Sequence, residues 1–380
     1  TLLVLAGPLT GILFTIWLQS SGQSFELSAM GGVAIWMAIW WIGEAVSIYL
    51  TALIPAFALP FLGILNMSEV AGAFLPQITF LFIGGFLMAF AMEKWNLHKR
   101  IALKIILSIG SSPSRLLFGS MFASYFLSMW ILNTATVMVL LPAILAVATQ
   151  LNSEGLKLNT PLLLGLAFAS SIGGISTLIG TAPNLYFADF FAGTSGGFEM
   201  SFLQWFPFAF PLSMVLFFFC FWLIRRMYLK SYKGSEIPLS AIRHEYESLG
   251  KFSPQEWRIG IAFLILIVAW FTGKDVQFGD FRFTGWIELI GKQGFVKEST
   301  VAIFIACTLF LIPGNKDSKL LEWRDAERIP FGVIFLFGGG FALAKGIQVS
   351  GLSEFIGSNL DFVSEFPLWM AILGMALFMT

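Results

Sequence analysis

The sequence predicts an all-α integral membrane protein, and three observations predict it: an apolar composition, apolar runs of spanning length, and very little charge. Of 380 residues, 57% are hydrophobic and 12% are charged, about half the charge of a soluble domain. Apolar runs recur along the chain and approach the ~20 residues a helix needs to cross a bilayer. The 42 Phe and 13 Trp residues suit lipid-facing surfaces and interfacial belts. A membrane barrel would alternate apolar and polar positions in short segments, and the run from Pro211 to Leu223 does not.

Taken in order, spans are predicted over 2–18, 29–47, 50–65, 74–92, 161–180, 206–224, 258–272, 299–313 and 331–347. The first has no basic start and is long enough to span, so no secretory signal is expected. The run 29–47 carries Glu44, the one carboxylate placed well inside a span, and it is read as pairing with a backbone or hydroxyl group. Segment 114–149 is different. It is apolar but interrupted by Leu132-Asn133-Thr134-Ala135-Thr136, and its halves, about 116–130 and 135–147, are each too short to span. The following span also breaks. Gly173, Gly174 and Gly180 loosen it and Pro183 is expected to stop it, which leaves Gly180-Thr181-Ala182-Pro183-Asn184 unwound.

Net charge is zero, which points to neither nucleic acid nor an acidic partner. Cys220 and Cys307 lie in apolar runs, and His98 and His244 lie far apart in polar connections. Neither a metal centre nor a nucleophile–base pair is expected, so the chain does not read as an enzyme. Lys and Arg sort by side instead. Connections 93–115, 149–160, 225–258 and 314–330 hold 17 of the 22, while 273–298 holds 4 and Lys345 lies in a span. The basic side is read as cytoplasmic, with the N-terminus inside. Both flanks of segment 114–149 then face the cytoplasm. A re-entrant helical hairpin satisfies that constraint, with its tip lining a cavity or buried in protein.

An internal repeat sharpens the prediction. Leu81–Leu97 and Leu336–Leu352 match at seven of 17 positions at an offset of 255, including Gly84/Gly339 and Gly85/Gly340. The first runs inward and the second outward. Similar segments crossing in opposite senses predict an inverted-repeat transporter with re-entrant hairpins and broken transmembrane helices. Four regions result. Residues 1–92 are first-repeat scaffold helices and the start of a transport region, and 93–224 hold the hairpin (114–149), the broken helix (161–190) and a further span. Residues 225–257 form a cytoplasmic linker, and 258–380 a second inverted repeat.

Half-helix ends at the hairpin tip and at the break would offer N–H groups to an anion and carbonyls to a cation. Asn133 can both donate and accept, and Ser128 lies one turn before the tip. Thr136 is expected to bond back to a helix carbonyl. No Lys or Arg lies near Asn133 or Thr181, so cations from solution would compensate a bound anion.

At these residues the chain resembles the divalent anion/sodium symporter family, the INDY-type carboxylate transporters. The likeness runs from Trp41-Ile42-Gly43-Glu44 and Thr51-Ala52-Leu53-Ile54-Pro55 through the Gly-Gly repeats. Members carry Ser-Asn-Thr at the tips of two hairpins, each followed by a helix broken at a Thr- or Ser-x-Pro turn. Here the first motif appears as Leu132-Asn133-Thr134 and the first break as Thr181-Ala182-Pro183-Asn184. The resemblance implies that Asn133, Thr134, Thr181 and Pro183 hold one substrate carboxylate. It implies a sodium site from Ser128, Asn133 and the carbonyls of Leu132 and Gly180, with no cofactor besides sodium as the coupling ion. It also implies sodium-coupled uptake of succinate, malate or fumarate by an elevator-type movement, in a homodimer in the lipid bilayer of the inner (plasma) membrane. A sodium-independent dicarboxylate exchanger, or a carrier for citrate or sulfate on the same fold, is the alternative. Two departures matter. Leu132 replaces the motif serine and removes a hydroxyl. The offset of 255 places the partner of Asn133 near position 388, past Thr380, so the chain is expected to be C-terminally incomplete, with its second half-site outside it.

Overall fold

A computed structural model describes residues 2–153, 158–194, 200–230, 239–278, 281–292, 294–315, 318–359, 370, 373 and 374. The chain opens with two apolar helices, α1 (Leu2–Ser20) and α2 (Phe25–Ile42), the second capped by the Ser24 hydroxyl. Two short helices follow, α3 (Ile48–Thr51) and α4 (Ile54–Phe61). A capping box between Asn66 and Glu69 starts α5 (Met67–Phe74), and α6 (Gln77–Lys94) and α7 (Leu97–Ile109) come next. The interrupted segment becomes α8 (Pro113–Ser128) and α9 (Asn133–Ser153), and the broken span becomes α10 (Asn159–Ile175) and α11 (Ala182–Thr194). Capping boxes at Ser201 and Ser253 start α12 (Phe202–Tyr228) and α14 (Pro254–Phe271), with α13 (Ser240–Ser248) between them. A two-stranded antiparallel hairpin, β1 (Val276–Phe278) and β2 (Phe281–Phe283), pairs Val276 with Phe283. The remaining helices are α15 (Trp286–Leu289), α16 (Glu298–Leu311), α17 (Trp323–Ala326), α18 (Phe331–Val349) and α19 (Leu352–Asn359). By length and composition, α1, α2, the stretch Met67–Lys94, α12, α14 and α18 can each cross a membrane.

Several expectations need correction. The span expected over 50–65 is two short helices, and α2 ends at Ile42, so Glu44 lies in an exposed turn with φ 44° rather than inside a span. Connection 93–115 contains a helix, α7, because Leu97, Ala102, Leu103 and Ile106 are buried and the charged Arg100 is buried with them, paired to Glu256. Connection 273–298 contains the β hairpin. Arm α9 has 21 residues, long enough to span at about 1.5 Å per residue, so length alone does not force the hairpin to be re-entrant. Parts of the expected connections and regions, at 154–157, 231–238 and most of 360–380, lie outside the described residues.

The chain divides into two compact units, Thr1–Pro76 with Pro330–Thr380, and Gln77–Ile329. In the first, α1 approaches α2 so closely that a Cβ on Gly32 would lie 2.5 Å from the Gly11 carbonyl oxygen. Helix α18 presses Gly339 onto the backbone of Ala52, where a Cβ would lie 2.1 Å from the carbonyl oxygen. Met30, Leu59, Val70 and Ala342 close the core around that crossing.

In the second unit, Gly84 of α6 meets Ala302 of α16, where a Cβ on Gly84 would lie 2.5 Å from the alanine methyl. Helix α7 is tied down by Arg100, whose guanidinium donates to both carboxylate oxygens of Glu256 at 2.5 and 3.2 Å. It also donates to the carbonyls of Gly250 at 2.9 Å and Leu249 at 3.0 Å. Lys99 pairs with Glu245 of α13 beside it.

Candidate ion and anion site

The site is built where four helix ends meet. Helix α8 ends at Ser128 with the Met129 N–H on the Tyr125 carbonyl at 3.2 Å, and the Ile131 N–H turns back to Leu127 at 3.0 Å. Helix α9 opens when the Thr136 N–H reaches the Leu132 carbonyl at 2.9 Å. The N–H groups of Asn133, Thr134 and Ala135 therefore have no helical acceptor and stand at the positive end of α9. The Leu132 carbonyl keeps one lone pair beyond that bond.

The second pair of ends comes from the break, which covers 176–181 rather than the expected 180–184. Pro183 does not stop a helix. It is the second residue of α11, where a missing N–H costs nothing and its fixed φ favours a helix start. Asn184, 7% exposed, braces the break by donating its Nδ2 to the carbonyls of Gly174 at 2.7 Å and Thr177 at 2.8 Å. The Thr177 hydroxyl donates to the Met129 carbonyl at the hairpin tip and accepts from the Gly180 N–H at 3.1 Å. Among the described residues none donates to the carbonyls of Leu178, Ile179 or Gly180.

Asn133 sits at the centre. Ser128 Oγ donates to Asn133 Oδ1 at 2.5 Å, and Ser170 Oγ donates to the Asn133 carbonyl at 3.0 Å. The two serine oxygens are 3.4 Å apart. With both protons spent on Asn133, lone pairs of both serines remain for a cation. A Cβ placed on Gly174 would lie 2.8 Å from Asn133 Oδ1 and 3.3 Å from the Gly180 carbonyl oxygen. Those two oxygens thus both lie within reach of a side chain at position 174, where only glycine avoids them.

The structure brings together Ser128, Asn133 and Gly180 of the expected cation set, with Leu132 at the first turn of α9. Thr134 and Pro183 are exposed and Thr181 is half-buried at the end of the break. Thr136 departs from expectation. It is fully buried and its hydroxyl has no partner among the described residues, so it does not bond back to the helix. Sequence reasoning missed Ser170, Gly174, Thr177 and the side-chain role of Asn184. Only the cluster of small and polar residues between Ser170 and Asn184 could have signalled them.

Comparison with known proteins agrees with this architecture. Residues 8–379 match the family described as the sodium:sulfate symporter transmembrane region. The chain is 35% identical to the sodium-dependent dicarboxylate transporter SdcS of Staphylococcus saprophyticus, across 99% of this chain and 73% of that protein. It is also 35% identical to SdcS of Staphylococcus aureus strain USA300, across 94% of this chain and 69% of that protein. A match over nearly the whole chain, on a body of apolar spanning helices, makes this protein a member of the divalent anion:sodium symporter family, a membrane transporter and not an enzyme.

Proposed function

We propose that the protein takes up small dicarboxylates (succinate, malate or fumarate) across the plasma membrane, driven by sodium. The observation that carries this reading is that the Asn133 and Gly180 oxygens both lie close to Gly174, with Ser128 bonded to Asn133, a cluster of oxygens with available lone pairs. Sodium bound by Ser128, Asn133 and the carbonyls of Leu132 and Gly180 neutralises part of the charge of the dianion. The Asn133 amide N–H groups, the N-terminus of α9 and the Thr134 and Thr181 hydroxyls then hold one carboxylate beside Pro183. Because the anion is poorly bound without the cation, the two move together.

Segment 114–149 is a re-entrant hairpin in this reading, with both flanks cytoplasmic and the N-terminus inside. Two crossings support an inverted repeat. Gly84 rests on Ala302, and its counterpart Gly339 rests on Ala52, so each repeat's glycine helix packs on a helix of the other repeat. An elevator-type movement in a homodimer completes the mechanism. The names of the Staphylococcus relatives support a dicarboxylate and sodium.

The test is labelled succinate uptake into proteoliposomes with sodium or choline outside, with and without internal dicarboxylate. Sodium-dependent uptake that needs no internal substrate, and is abolished by Asn133→Ala, is expected. Uptake indifferent to sodium but dependent on internal dicarboxylate would mean an exchanger and remove the cation site.

A further inference from the structure

A ring of three hydroxyls lies behind the break, each from a different element. Tyr125 of α8, Ser176 at the first position of the break and Ser213 of α12 are each at most 1% exposed. Tyr125 Oη is 2.7 Å from Ser213 Oγ and 2.8 Å from Ser176 Oγ, and the two serine oxygens are 2.7 Å apart. Three protons serve three contacts when each hydroxyl donates once and accepts once around the ring. The ring is then saturated, and in a dry interior its members polarise one another. The Phe210 carbonyl, 2.8 Å from Ser213 Oγ within its own helix, competes for the single Ser213 proton.

The ring does not act alone. Trp205 of α12 donates its Nε1–H to the Ile175 carbonyl at 3.0 Å, so α12 grips two consecutive residues where α10 ends. Thr177 in turn is held by the hairpin tip and by Asn184. Residues 175–177 are thus held by contacts to α8, α11, α12 and the hairpin tip. The unserved carbonyls of Leu178, Ile179 and Gly180 begin one residue later, and their direction follows from that anchoring.

We propose that Tyr125, Ser176 and Ser213 are positioning residues: their ring fixes the start of the break so that the Gly180 carbonyl faces Asn133, and so sets the affinity for the coupling cation without touching it. The inference rests on the sodium-coupled reading above. It also makes α12 part of the cation site, although α12 supplies no ligand to it.

The experiment uses the full-length protein in proteoliposomes. Succinate uptake is followed over a range of external sodium for wild type, Tyr125→Phe, Ser213→Ala and the double variant, with melting temperatures measured in parallel. Each single variant is expected to raise the sodium concentration for half-maximal uptake about tenfold, the worth of one buried hydrogen bond. The rate at saturating sodium is expected to stay within about twofold of wild type. The double variant should be no worse than either single one, because a ring is opened by its first break. Half-saturation at the wild-type value in both single variants overturns the proposal. So does a loss of rate and melting temperature with half-saturation kept, which is the mark of packing alone. Tyr125→Phe removes one oxygen atom and carries the test if Ser213→Ala does not accumulate. Wild-type uptake indifferent to sodium, seen in the same assay, removes the sodium reading and the proposal together, an outcome distinct from the other two.

Discussion

A single methyl group at position 174 would crowd both the Asn133 side chain and the Gly180 carbonyl, at 2.8 and 3.3 Å. Position 174 therefore admits only glycine if those oxygens share an ion, and Gly174→Ala is expected to reduce sodium-dependent uptake more than tenfold, the cost of displacing one coordinating oxygen by a steric clash. Normal uptake in that variant at low sodium would show that the oxygens act apart. His98 gives a second residue-level prediction. It is 2% exposed, with Nδ1 on the Met92 carbonyl at 3.0 Å and Nε2 without a partner among the described residues. Burial lowers its pKa below the ordinary 6.5, so the folded protein holds it neutral while the unfolded chain protonates at 6.5. Its contribution is fully present above pH 6.5 and declines as pH falls from 6.5 through the lowered value. Thermal unfolding from pH 5 to 7.5 should show this decline, and His98→Gln should flatten it.

At the scale of elements, the hairpin and the break were legible because polar and turn-forming residues interrupt apolar runs that have no other reason to be interrupted. Asn133 announced itself in this way. The role of Pro183 did not, because proline is compatible both with the end of one helix and with the first turn of the next. The Tyr125, Ser176 and Ser213 hydroxyls were invisible, since a serine in an apolar helix usually bonds within its own helix and its spacing says nothing about a distant partner. The charge of helix α7 disguises it as a connection, because the partner that lets Arg100 be buried is not visible in the local sequence. Its anchor, Arg100 with Glu256, joins residues 156 apart in sequence. Both side chains are buried, so Arg100→Leu leaves a carboxylate without its partner and is expected to cost about 3–5 kcal/mol of stability, measurable as a lowered melting temperature in detergent. Arg100→Leu with Glu256→Leu should recover part of that loss, and no recovery would mean that the backbone carbonyls matter more than the carboxylate.

For the whole molecule, the proposed orientation rests on the asymmetric placement of Lys and Arg, and the proposed repeat on the glycine crossings. The orientation is testable in cells once Cys220 and Cys307 have been replaced. A membrane-impermeant maleimide is expected to label Lys292→Cys on intact cells, and Ser248→Cys only after permeabilisation. The reverse pattern would turn the molecule over and place the hairpin flanks outside. The reciprocal crossings, Gly84 on Ala302 and Gly339 on Ala52, were only half legible: the sequence shows the two glycines at matching positions but not the small residues that receive them.

The Arg100 guanidinium also has a mechanical meaning. By binding the carbonyls of Leu249 and Gly250, about 150 positions along the chain, it clasps together the two ends of a long loop that contains the hairpin, the broken helix and α12. Tension applied to the chain on either side of that loop would run across the clasp from α7 to the start of α14. The candidate site inside the loop would be spared that tension.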